Sequence, residues 1–198
     1  MHISEGVLSL PVLATGYLCS AVGVGIGLKK LKEEDMVRTA IFSSAFFVAS
    51  LIHVPFGPAS VHLILNGLVG ILLGWPCFCA IFIALLLQAV LFQFGGITTL
   101  GINTLNMALP ALICYFVFSR IIRKGILPGM ITGFLCGFIS VFLSTLCLSA
   151  SLVFSGEQFI SSAKLIFIAH TPVMIIDGII TGLVLQFIRK VKPEILKI

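Results

Sequence analysis

The chain has 198 residues, of which 59% are hydrophobic and 10% charged, with a mean hydropathy of +1.22 and a formal net charge of +5. A soluble domain carries about 25% charged residues, and a fold of this size could not hide so much apolar surface from water, so the composition excludes a water-soluble globular protein and makes lipid the solvent. The basic residues sit at the ends of apolar stretches and form no continuous face, which makes them topology markers and excludes a nucleic-acid partner.

Residues 1–6 read Met-His-Ile-Ser-Glu-Gly and contain no Lys or Arg, so a cleaved signal peptide is not expected and the N-terminus is expected to be retained. Residues 7–28 form a first spanning helix that stops at the charged run KKLKEED, and residues 36–54 return. The stretch PFGPASVHLILNGLVGILLGWP predicts a Pro/Gly turn, then a helix from about 59 to 74. That helix is too short for the roughly 20 residues a bilayer requires, so it begins inside the protein, where irregular backbone is tolerated. A helix over 77–92 follows the Trp75-Pro76 turn.

Residues 94–106, FGGITTLGINTLN, read as a loop by their Gly, Thr and Asn content, and the loop carries no charge, as expected of a segment folded over protein. Further crossings are expected over 107–122, 126–149 and 160–188, the last tilted, kinked at Pro172 or projecting at an end, with a polar connection over 151–158. The fold class is therefore all-α: a polytopic membrane protein with about seven transmembrane helices. Every Lys and Arg except Lys164 then falls on one side, which puts the N-terminus outside and the C-terminus in the cytoplasm. Cys19, Cys77, Cys79, Cys114, Cys136 and Cys147 read mostly as small buried hydrophobes.

This topology gathers the histidines in the outer half: His2 at the terminus, His53 at the outer end of the second helix, His62 at the start of the third, and His170 in the last. The Met1 amine, the amide nitrogen of His2 and the His2 imidazole can chelate one ion through fused rings. A fourth nitrogen from His62 would close a square, the geometry of Ni²⁺ and Cu²⁺. The competing reading is a frayed terminus and a His62 that hydrogen-bonds a neighbouring helix. Asn66, four residues after His62, is expected on the same helical face. Asn103 and Asn106 bracket the neutral loop, with Gln88 and Gln93 at its approach, as imidazole holders, loop clamps or interhelical bonds. Glu5 either accepts backbone donors and fixes the tail or is a solvated acid. His53 lies at a site entrance or at headgroup level. Asp177, seven residues beyond His170 on a similar face, is a ligand, a proton carrier or a structural acceptor.

The opening MHI-x-(E/D)-G, the histidine in GPASVHLILNGLVGILLG, and the motifs ALLLQAVLF-x-x-GG and LGINTLNMALPA together resemble the CbiM/NikM family. These proteins are the substrate-capture membrane components of nickel and cobalt energy-coupling-factor transporters. The resemblance covers nearly the whole chain, but His53 and the spacing of the PFGPAS lead-in to His62 are not invariant features of the family.

The resemblance implies that 1–198 form a single integral membrane metal-capture domain with residues 1–6 inserted as a metal-binding tail. Met1, His2 and His62 would supply a nearly square-planar set, and the loop matching 95–106 would cover it. It implies a bacterial or archaeal cytoplasmic membrane protein that is no enzyme. The transported substrate would be Ni²⁺, with Co²⁺ close behind, and no ATP would bind this chain, which has no G-x-x-x-x-G-K-[ST] loop. A transmembrane coupling protein, two ATP-binding subunits and a small accessory membrane subunit are the partners it implies. Two other function classes compete. A self-contained secondary permease predicts paired membrane acids and an internal repeat; a haem or quinone redox protein using His53, His62 and His170 predicts facing pairs across the hydrophobic slab.

Overall fold

Charge punctuates the first two helices. Helix α1 (Leu10–Lys30) carries Pro11 in its first turn and ends on Lys29 and Lys30, while α2 (Glu33–Ala49) opens on Glu33, Glu34 and Asp35. Each set of charges lies at the helix pole that favours it. The computed structural model describes residues 2–51 and 53–196. After α2 comes an antiparallel hairpin of β1 (His53–Phe56) and β2 (Ala59–His62). Five helices complete the chain: α3 (Asn66–Leu73), α4 (Cys77–Phe92), α5 (Leu100–Arg123), α6 (Gly129–Val153) and α7 (Ile160–Val191).

Among the described residues there are thus seven α-helices, and four of them, α1, α5, α6 and α7, are long and apolar enough to cross a membrane. Helix α4 is apolar but shorter. Helix α3, with 8 residues, reaches only about 12 Å at 1.5 Å per residue.

Two expectations are corrected. The third helix starts at Asn66 rather than near residue 59, because the Pro55–Pro58 turn closes a hairpin and His62 ends its second strand. The neutral loop is shorter than 94–106: α5 already begins at Leu100, so Asn103 and Asn106 stand on its first two turns. Thr and Asn content suggested a loop there, but the Asn103 and Asn106 side chains bond the tail and α6 and leave the backbone free to wind into a helix.

Helix α3 is the buried centre. Residues 66–72 are all buried, and α5 and α6 are its main neighbours. Close approach is possible because Gly67 and Gly70 face those helices. A Cβ on Gly70 would lie 2.1 Å from the Ala111 carbonyl oxygen, and one on Gly67 2.9 Å from that of Cys136. The small-residue stripes on α1 and α6 are likewise consumed inside the chain: Gly16 meets the Ile102 backbone of α5, and Gly133 and Gly137 meet α7 at Gly182 and Asp177.

The distribution of polarity is that of a protein solvated by lipid. Leu18, Ile168, Leu183 and Phe187 are exposed, whereas Ser20, Thr104, Ser140 and Thr181 are buried. Of the cysteines, Cys77, Cys79, Cys114 and Cys136 are buried, but Cys19 is exposed on α1 and Cys147 is intermediate.

Adding a methyl at Gly70 should therefore force α3 and α5 apart. Gly70→Ala is expected to cost about 1–3 kcal/mol, as overpacking does. Gly25→Ala, where nothing lies within 4 Å, should be neutral or stabilising. Thermal unfolding of the two variants in detergent checks the contrast.

Candidate metal centre

The N-terminal tail is held by main-chain bonds. Ile3 forms an antiparallel bridge with Ala59 of β2; Ser60 N–H donates to the His2 carbonyl at 3.2 Å, and Ser4 N–H donates to the Pro58 carbonyl at 3.2 Å. Residues 2–4 thus act as a short third strand on the hairpin. The Ile3 side chain, fully buried, pegs the tail into the core. Asn103 of α5 clamps the same residue from the other side. Its Oδ1 accepts from Ile3 N–H at 2.9 Å and its Nδ2 donates to the Ile3 carbonyl at 3.2 Å.

This docking brings His2 against His62. The two rings stack with centroids 4.6 Å apart and an interplanar angle of 25°, with Phe94 at 6.2 Å from His2. Both histidines are buried. His62 Nδ1 lies 2.8 Å from the Leu63 carbonyl, an obligate acceptor, so Nδ1 carries the proton and Nε2 presents a lone pair. Burial above all, and then nearby positive charge including that of His2, push the His62 pKa well below the ordinary histidine value. Both effects favour the neutral ring that a metal ligand requires. The His2 amide N–H faces the Ser60 hydroxyl at 3.4 Å. Met1, the expected source of the amine, lies outside the described residues.

Asp177 sets where His62 sits. Its Oδ2 accepts from the N–H groups of Ile64 and Leu65 at 3.0 and 2.9 Å, and Thr181 Oγ1 lies 3.5 Å from Oδ1. These two donors belong to the break between β2 and α3, where Leu65 adopts a left-handed φ of 55°. Of the three readings open for Asp177, the structural acceptor is the one its contacts support.

The loop between α4 and α5 folds over the tail. Gly95 (φ +75°) and Gly96 (φ +130°) occupy backbone conformations that L side chains rarely adopt. A Cβ on Gly95 would lie 2.8 Å from Asn103 Nδ2 and 3.3 Å from the His2 Cβ; one on Gly96 would overlap Glu5. Glu5 Oε1 in turn accepts from Thr98 N–H at 2.9 Å and Thr98 Oγ1 at 3.1 Å. Glu5 therefore fixes the tail to the loop, and the Thr98 donors hold its carboxyl below the ordinary carboxylate range.

The remaining candidates divide. Asn66 does not share a helical face with His62, because the strand-to-helix break separates them. Its Nδ2 donates instead to the Met107 carbonyl at 2.9 Å and to Ser144 Oγ at 2.8 Å. Asn106 pairs with Ser151 of α6 at 3.3 Å, an interhelical bond away from the tail. Gln88 bonds Ser50 and the Phe47 carbonyl between α4 and α2. The His53 backbone pairs with His62 across the hairpin, and its side chain is outside the described structure. His170 is buried on α7, with Nδ1 2.7 Å from the Ile166 carbonyl. Sequence reasoning passed over Ser60 and Phe94 as site residues. A serine two positions before His62 becomes significant only once strand pairing is known. Among the described residues, no three His, Cys, Asp or Glu side chains form a metal-holding group.

Replacing Asp177 by Ala leaves two buried N–H donors without their acceptor. It should cost about 3 kcal/mol of stability and weaken metal binding through His62, whereas Asp177→Asn, which keeps one acceptor, should cost less; calorimetric unfolding of both checks the order. The Glu5 clasp should respond to acid. A carboxyl with a lowered folded pKa contributes stability that is complete above its ordinary value of 4.5 and lost as pH falls through the lower folded value. The stability difference between the native chain and Glu5→Gln, followed by thermal unfolding, should therefore shrink as pH drops below about 4.

Residues 2–195 match the family model described as the cobalt uptake substrate-specific transmembrane region, CbiM. A Haemophilus influenzae protein named for metal transport is 42% identical over 199 residues, covering 99% of this chain and 97% of its own. The cobalt transport protein CbiM of Sorangium cellulosum is 32% identical, covering 99% and 94%. A crystal structure of a truncated transition metal transporter superposes with a TM-score of 0.83 at 25% identity, covering 96% of this chain and 99% of that one. The tail and hairpin described above thus sit in a chain that belongs to the CbiM family of transmembrane components for cobalt and nickel transport.

Proposed function

We propose that this protein captures a divalent transition-metal ion, Ni²⁺ in preference to Co²⁺, outside the cytoplasmic membrane for ATP-driven uptake. The ion is gripped by the Met1 amine, the His2 amide and imidazole nitrogens, and Nε2 of His62. The observation that carries the reading is the approach of the His2 and His62 ring centroids to 4.6 Å. An imidazole bound at about 2.0–2.1 Å puts its ring centre about 3.2 Å from the ion, so two such rings at adjacent corners of a square lie about 4.5 Å apart. In a chelate of amine, amide and His2 imidazole, the fourth corner neighbours the His2 ring, which is where His62 stands.

The lack of a three-side-chain metal group among the described residues favours the same set. Two imidazoles hold an ion tightly here only if main-chain nitrogens complete the square. An all-nitrogen square suits low-spin d⁸ Ni²⁺. Capture and ordering are coupled, since the amine becomes a ligand only when the tail lies on the hairpin and the Gly95–Gly96 loop closes over it.

Asp177 argues against a self-contained permease. The buried acid is committed to the Ile64 and Leu65 amides and is a poor carrier for a coupling ion. Energy then comes from two ATP-binding subunits acting through a separate transmembrane coupling protein. The bias of Lys and Arg toward one side supports an N-terminus outside and a C-terminus in the cytoplasm. His2, His62 and His170 gather at one end of the helices, unlike the facing pairs a haem would need across the slab.

Acetylating the Met1 amine, or changing His2 to Ala, should lower Ni²⁺ affinity by well over tenfold, more than about 1.4 kcal/mol, in calorimetric titration. Affinity of the native chain should also fall as pH drops, because binding displaces protons from the amine and the amide. Unchanged Ni²⁺ affinity in both variants would overturn the tail chelate.

A further inference from the structure

The buried lone pair at His62 has a counterpart on α7. His170 is fully buried, and its Nδ1 lies 2.7 Å from the Ile166 carbonyl of the preceding turn. A carbonyl accepts only, so the proton is on Nδ1 and Nε2 presents its lone pair to the protein interior. Among the described residues no donor meets that nitrogen, nor His62 Nε2, nor the Asn66 amide oxygen. Three buried acceptors without donors in one region form an arrangement that a cation resolves.

The framework places His170 level with the group that holds Asn66 and sets the strand carrying His62 against α7. Helices α6 and α7 run antiparallel, with Gly137 packed on the Asp177 carbonyl. His170, seven residues before Asp177, therefore stands level with Ser144, seven residues after Gly137, each about 10 Å further along at 1.5 Å per residue. Ser144 Oγ is the group that holds Asn66 Nδ2, at 2.8 Å. On the hairpin side, Ile64 N–H rests on Asp177, and His62 lies two residues back, about 7 Å along an extended chain. Helix α7 packs against β2.

We propose that Nε2 of His170 and Nε2 of His62, with the Asn66 amide oxygen beside them, form a second cation station that receives the transition-metal ion when the tail lets go of it. This rests on the tail-chelate reading above, in which His62 Nε2 is already a ligand. His62 stays bound throughout, His170 replaces the tail nitrogens as they regain their protons, and no bond other than metal coordination is made or broken. Two imidazoles hold an ion less tightly than a closed square of four nitrogens, so the station weakens the grip on the cargo while keeping it out of bulk water. Asp177 serves both histidines, anchoring the hairpin that carries His62 from the helix that carries His170.

The test uses the full chain in detergent with the tail chelate disabled by His2→Ala plus one residue added before Met1, and Cu²⁺ alone as the probe. Pulsed electron paramagnetic resonance counts coordinated imidazoles. The expected result is a weaker bound Cu²⁺ showing two imidazoles. His170→Ala added to that chain should remove one imidazole and lower affinity at least about tenfold, while His53→Ala added instead should leave both.

The count of two is read with His170 intact, so it does not depend on the His170 variant folding. No Cu²⁺ bound to the tail-disabled chain, a single imidazole in it, or a pair that persists in His170→Ala and is lost in His53→Ala would overturn the station and leave the tail chelate standing. If the tail-disabled chain instead binds as tightly as the native one, the tail chelate fails, and the imidazole count still decides the role of His170.

Discussion

A carboxylate inside a spanning helix is tolerated only if its oxygens are satisfied, and Asp177 meets that condition with main-chain N–H groups of another element. The bond works in both directions. The break after β2 leaves the amides of Ile64 and Leu65 without strand or helix partners, which is costly away from water. One acid on α7 resolves both problems, and in doing so it fixes the height and direction at which β2 delivers His62. Everything above that point, hairpin, tail and covering loop, is registered from this contact.

On that base the tail docks as a strand. Its specificity comes from pairing: Ile3 is bridged to Ala59 and clamped by both ends of the Asn103 amide. A slip of one residue would turn Ile3 out of the core and His2 away from His62. A terminus would otherwise be expected to fray. Here one fully buried isoleucine and a small set of backbone bonds hold it against a preformed surface. That arrangement makes the tail a strand added to a surface that the hairpin and α5 provide.

Depth is created by the short helix. Because α3 covers only about 12 Å, the chain can enter from one end as a hairpin, turn inward at Asn66 and stop at Gly74, leaving polar groups well inside the outline of the longer helices. Glycines at 67 and 70 let α5 and α6 close around it to backbone contact. The polar side chains that face this interior, Asn66, Ser144 and Thr104, are buried where a soluble protein would put leucine. Lipid on the outside and polarity on the inside are two consequences of one solvent.

Much of the helical framework was legible from residue order, because apolar length and flanking charge depend on the bilayer and on local chemistry alone. The helix over 77–92 and the unusually short third helix follow from that pattern, and the pairing of His2 with His62 followed from the coordination chemistry of an N-terminal histidine together with the family motifs. Three things did not follow. Whether GPASVH winds as helix or pairs as strand was decided by the Asp177 acceptor more than a hundred residues away and by a tail that supplies a third strand; no local propensity records either. The start of α5 at Leu100 instead of after Asn106 was decided by partners for Asn103 and Asn106 on the tail and on α6. The alignment of His170 with Ser144, the partner of Asn66, arises from antiparallel packing of α6 on α7, a long-range contact. Sequence by itself determines what each segment is able to do in lipid, since that is set by composition over a few turns. Only the tertiary structure determines which polar groups meet, since buried polar atoms take partners from wherever packing brings them.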